Sequence, residues 1–178
     1  IAGAVRRAAM LVITIDARAL APPADLRTAL DFSRQYGPAL EEIWRSHREI
    51  DSLRDAIDTQ LKSLPPNDSL RRPLQELKSR TEPWSNGYAE HTLNLNFINE
   101  TLADAITDVQ GSDRAPTEAQ RTAAADCVRR AHEVASQWQQ LRERELSSLS
   151  RQLRQGGHQE LTIPPPDQLG PGQPDEGT

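Results

Sequence analysis

Four histidines, His47, His91, His132 and His158, are the side chains of this sequence best suited to metal ligation or proton transfer. A metal site built on a helix needs two ligands about one turn apart, as in His-x-x-x-His or His-Glu-x-x-His, because that spacing aims both at one ion. None of the four histidines stands in such a pattern, and no carboxylate partner at ligand distance along a helix is expected for them. His47 falls on or beside an apolar stripe, where it reads as a hydrogen-bonded core residue. Glu41-Glu42 is the adjacent acid pair that invites an acid/base reading. Neighbours one position apart on a helix point away from each other, so they cannot flank one bond, and the pair reads as a solvated face.

Cys127 is the single cysteine, so no internal disulfide is possible. Its helical spacing with Ala124, Ala131 and Val134 makes it a small buried residue and not a reactive thiol. There is no Gly-rich phosphate loop, no Gly-x-Ser-x-Gly elbow and no Cys-His arrangement. Trp44, Trp84 and Trp138 could form a stacking platform for a ring-shaped ligand, but Trp138 lies on an inner stripe and Trp44 beside it, which favours core packing. Asn67-Asp68-Ser69 and Asn99-Glu100-Thr101 fit the glycosylation acceptor pattern, which matters only in a secretory eukaryotic setting. The expectation is a chain without catalytic, cofactor-binding or metal-ligating residues.

The elements that would carry these residues are helices. Hydrophobic residues make up 36% of the 178, aromatics 4% and charged residues 26%, a mix suited to narrow apolar stripes on helices and not to thick sheet cores. Leu40, Ile43, His47, Ile50, Leu53, Ile57, Leu61 and Leu64 recur at steps of three and four, predicting a long helix from about 38 that Pro65-Pro66 ends. Before it, a helical pattern starting at Ala24 or Asp25 meets Gly37-Pro38, which is expected to kink or break it. Asn67-Asp68-Ser69 offers a cap for a brief helix bearing Leu70, Leu74 and Leu77, with Pro73 in its first turn. Thr81 to His91 is expected to be an ordered loop pinned by Trp84 and Tyr88.

A third helix spans about 93–109, with Leu95, Ile98, Leu102, Ile106 and Val109 inward and Gly111 closing it. Pro116, Thr117 and Glu118 then start a fourth. It carries Ala124, Cys127, Ala131, Val134, Trp138, Leu141, Leu149 and Leu153 inward as far as Gly156-Gly157.

The fold expected is therefore all-α: an antiparallel bundle of three to four helices led by two long antiparallel ones, about 38–64 and 116–154, with the middle segments packed across them. Leu11-Val12-Ile13-Thr14-Ile15 is the one β-branched run and reads as a residual strand of a preceding sheet module. The organisation predicted is strand and linker over 1–23, bundle over 24–157 and a Pro-rich acidic tail over 158–178. Leu161 and Ile163 are the tail's only promising anchors, and disorder is expected past Pro166.

A net charge of −5 with interleaved signs argues against nucleic acid as a partner. No stretch approaches the roughly 20 apolar residues of a membrane span. The chain opens on Ile1 and not Met, so it reads as a fragment or a processed product.

Asp113-Arg114-Ala115-Pro116-Thr117, then Gln120-Arg121, a Trp near the middle of the helix and a Leu-x-x-Leu-x-x-x-Leu ending carry a resemblance. So does Asp16-Ala17-Arg18 followed by Ala24-Asp25-Leu26. Together they resemble the C-terminal helical region of bacterial β-propeller proteins with sialidase-type (BNR, Asp-box) or sortilin-like repeats, commonly labelled glycosyl-hydrolase-like. No Ser-x-Asp-x-Gly-x-Thr-Trp box occurs here, so the propeller is missing from this chain.

The resemblance implies a non-catalytic accessory or interaction domain, secreted or periplasmic, whose partners are upstream β-propeller and immunoglobulin-like domains of the same polypeptide, and other proteins. The alternative is the C-terminal fragment of a secreted hydrolase whose catalytic propeller lies upstream. A third reading is a free-standing adaptor that dimerises through its stripes.

Overall fold

Pro23 opens the first helix. A proline at the first helical position gives up an N–H that has no intrahelical partner anyway, and its fixed φ suits the helix. α1 spans Pro23–Ser63, with Pro22 before it and no side-chain cap. Pro23 therefore belongs to the helix and not to the linker. The computed structural model describes residues 21–85, 93–112, 114–165 and 168. The expected strand at 11–15, together with Tyr88 and His91, lies outside the described residues, as does the tail beyond 165 apart from Gln168.

Gly37-Pro38 does not break α1, which runs unbroken for 41 residues. Pro38 and Arg34, the residue whose carbonyl loses its N–H partner, are both exposed, so water can take over that bond. Inward, Phe32, Tyr36, Ile43, Ile50, Leu53 and Ile57 are buried and hold both halves to one core. Leu64 ends α1 in extended backbone and donates to Gln60 O.

α2, Arg71–Ser85, is longer than the brief helix expected and absorbs Pro83 and Trp84, which sequence reasoning placed in a loop. Pro83 again sits on the exposed side, while Thr81, Trp84 and Ser85 are buried and reward one more turn. α3, Leu95–Ser112, starts two residues later than expected and runs through Gly111. Its cap is the fully buried Asn94, whose Oδ1 accepts from Phe97 N at 3.1 Å. α4, Glu118–Leu141, begins on Thr117, which forms a capping box with Gln120. A five-residue π-turn, Arg142–Leu146, then leads into α5, Ser147–Gln155. Gly157 ends this run at φ 77°, the left-handed stop that Gly156-Gly157 predicted.

Cross-helix contacts fix the directions. Lys78 meets Asp58, Arg54 reaches Thr81, and Arg71 donates to Leu61 O and Leu64 O, so α2 runs against α1. Gln110 donates to Ser33, so α3 continues in the same direction as α2 against the first half of α1. His132 lies beside Glu42, while Trp138 and Arg142 bond Glu49, so α4 rises alongside α1. The architecture is three rods, up, down and up: α1, then α2 with α3, then α4 with α5.

Successive rods are antiparallel, but the two long helices are parallel to each other, contrary to the expected pairing. The middle segments line up end to end to make one return rod, so the chain reverses twice between the long helices. The start of the tail is anchored where the sequence suggests, with Leu161 buried, Ile163 packed on the core and Ser150 Oγ donating to Leu161 O at 3.3 Å.

Candidate functional site

The two buried charged side chains among the described residues, Glu49 and Arg54, both stand in the middle of α1. Two separate clusters leave it, one toward α4 and one toward α2.

Toward α4, Glu49 is 8% exposed and its Oε2 accepts from Trp138 Nε1 at 2.9 Å and from Arg142 Nη1 at 2.8 Å. A carboxylate this deep is tolerable only when its charge is answered by such donors. The Arg142 guanidinium also lies over the Trp138 ring, 5.8 Å from its centroid. One acid thereby fixes the last turn of α4 and the first residue of the π-turn against α1.

Toward α2, Arg54 Nη1 donates to Lys78 O at 3.0 Å and Thr81 Oγ1 at 3.2 Å. One to two turns earlier on α1, His47 Nδ1 lies 3.2 Å from Asp51 Oδ2. That corrects the expectation that His47 lacks a carboxylate one turn away. Burial pushes the Asp51 carboxyl up, against the pull of His47, Ser85 and Arg54, while Asp55 adds repulsion. A Ser–His–Asp proton relay needs the serine on the second nitrogen of the histidine, whereas Ser85 stands beside the Asp51 carboxyl. The relay is incomplete among the described residues: His47 Nε2 and Ser85 Oγ are both buried without a hydrogen bond of normal geometry.

The remaining candidates do not converge. Glu42 faces His132 at 3.8 Å with both side chains half exposed, and Glu41 is exposed. His158 faces Asp68 at 3.8 Å near the far end of the bundle, and His91 lies outside the described residues. No three potential metal ligands come together among the described residues. Cys127 is buried, as its spacing predicts, and that burial pushes its thiol up, with Asp126 adding to the shift and Arg130 opposing it. The effect is opposite to what a nucleophilic thiolate requires.

The tryptophans divide. Trp138 and Trp84 are buried, and Trp44 is half-buried under the Arg48 guanidinium, 5.3 Å from its ring centroid. They make no common platform.

A trough between rods is the feature that sequence reasoning misses. α2 packs on α1 but stands off from the α4–α5 rod, and the gap opens a groove of about 620 Å³. Trp84, Leu93 and Leu141 contribute its apolar lining; Gln140, Arg144 and the Arg80–Glu145 ion pair supply polar walls. A second groove, of about 330 Å³, lies beyond that ion pair against Leu77 and Leu149.

The one legible trace of this region is in the inner stripe, which steps from Leu141 to Leu146, a gap of five where a helix gives three or four. No described helix is long and apolar enough to cross a membrane. No protein-family model, curated protein or solved structure is similar to this chain.

Proposed function

We propose that this chain is a non-catalytic helical accessory domain that packs against, or extends, a β-propeller of the same polypeptide. One observation carries the non-catalytic part: the buried charged side chains are engaged in tying rods together. Glu49 joins α1 to α4 and the π-turn, and Arg54 joins α1 to α2. Groups spent in this way stiffen a scaffold and are not free to exchange protons with a substrate. The resemblance of residues 102–163 to the helical region of Asp-box and sortilin-like proteins supplies the propeller, and with it a secreted or periplasmic setting.

The reading frame upstream of Ile1 tests the pairing. Asp-box repeats encoded there support it, and a frame without any propeller repeat removes it. The purified chain is expected to turn over neither aryl glycosides nor sialosides. Turnover that vanishes with His47→Ala or Asp51→Asn would instead make the incomplete relay a working site.

A further inference from the structure

The first turns of α1 carry a second apolar stripe besides the one in the core. Ala29, Phe32, Tyr36 and Ile43 are buried. Leu26, Leu30 and Gly37 lie on a neighbouring face, turned by about 100° at the roughly 100° per residue of a helix. Leu30 is 48% exposed, the only large hydrophobic side chain so exposed among the described residues, and Leu26 is only half-buried. At Gly37 an added Cβ would meet nothing within 4 Å. A bare backbone in mid-helix leaves room for a second segment to lie close.

The run Leu11-Val12-Ile13-Thr14-Ile15 is within reach of this face. Seven residues, Asp16 to Pro22, join it to α1 and span at most about 24 Å when extended. Leu30 stands eight residues past Pro22, only about 12 Å up the helix. Leu161 and Ile163, the apolar pair of the C-terminal tail, already pack on the core at the far end of the bundle.

We propose that Leu11–Ile15 docks along the Leu26–Leu30–Gly37 face of α1, with alternate side chains covering the helix. In an extended run those side chains recur every ~7 Å, close to the spacing of successive turns on one helix face. The proposal concerns this chain by itself; an upstream sheet that took the same run as its last strand would compete with the docking.

Disulfide trapping in the full chain, with Cys127→Ser to remove the native thiol, tests it. Leu30→Cys is paired in turn with Val12→Cys and Ile13→Cys, and Asp31→Cys, turned by about 100°, replaces Leu30→Cys as the control. At least one Leu30 pair is expected to close within the monomer roughly tenfold faster than its Asp31 control, because docking raises the local thiol concentration. Equal rates would overturn the proposal. So would closure as a covalent dimer whose rate rises with protein concentration, which would make a second copy the occupant. As a check without new thiols, Leu30→Ala and Ile13→Ala should destabilise non-additively when combined, and strictly additive effects would count against docking.

Discussion

Trp138 shows how one side chain combines packing with a polar duty. Its ring is 3% exposed and its Nε1 donates to Glu49. Trp138→Ala should therefore cost about 3–5 kcal/mol in urea denaturation, the range for truncating a buried large aromatic. Glu49→Ala leaves the indole N–H buried without an acceptor and should cost about 1–3 kcal/mol. Glu49→Gln, which keeps an accepting oxygen, should lose less, and an equal loss would mean that packing and not hydrogen bonding carries the effect.

Asp51 works in the other direction. Its carboxyl is raised by burial, so the stability it contributes is present below the ordinary aspartate range and is lost as pH rises through the folded-state value. Asp51→Asn lacks that loss. Its urea midpoint relative to the parent should therefore shift in favour of Asn as pH rises from below to above the ordinary aspartate range, about 3.9; a gap that is constant or moves the other way would show that the His47 pairing outweighs burial. Asp126 has the opposite sign: hydrogen bonding from Arg129 holds its carboxyl low, so its share of stability persists above the ordinary range and fades only in stronger acid.

At the scale of elements, the π-turn is the feature that spacing alone could have revealed. The inner stripe advances 134, 138, 141, 146, 149, 153, and the step of five forces either a register error or one looped-out residue. Deleting the exposed Glu143 should remove the extra residue, convert 142–146 to ordinary α-helix and leave both flanking stripes aligned. Helical circular dichroism should be retained and stability changed by less than about 1 kcal/mol. Deleting Arg130 in the regular part of α4 should instead rotate the two halves by about 100° relative to each other and unfold the bundle.

The helices themselves were legible because burial follows a period that the residues display. Every inward position expected in α4 and α5, from Ala124 to Leu153, is buried. Boundaries at proline were not legible. Pro38 and Pro83 read locally as breakers, yet each faces solvent, where the lost hydrogen bond is replaced by water and neighbouring turns keep their contacts. The pairings of Glu49, Arg54 and Asp51 were not legible either, except that Asp51 lies one turn after His47. Partners separated by 27 to 93 positions, such as Arg54 with Thr81 and Arg142 with Glu49, depend on which rods adjoin, and a single sequence does not state that.

For the whole molecule, the order of rods decides the geometry. Treating α2 and α3 as separate crossing pieces makes the two long helices antiparallel; joining them into one return rod makes the long helices parallel. Spin labels at Ala24 and Gln155 distinguish the two arrangements. With α1 41 residues long at about 1.5 Å per residue, the labels should lie about 55–60 Å apart, whereas antiparallel long helices would bring them within about 20 Å.

Three traverses also place the point where the chain enters the bundle and the end of α5 at opposite poles. Tension applied between those poles would load the rods in shear, with Glu49, Arg54 and the core sliding together, instead of peeling one rod away at a time. Shear must break many lateral contacts at once, so rupture under load should be slow and governed by the unfolding barrier. Pulled from its two ends, a bundle wired in this way should resist in shear, where an even-numbered bundle with adjacent ends would unzip.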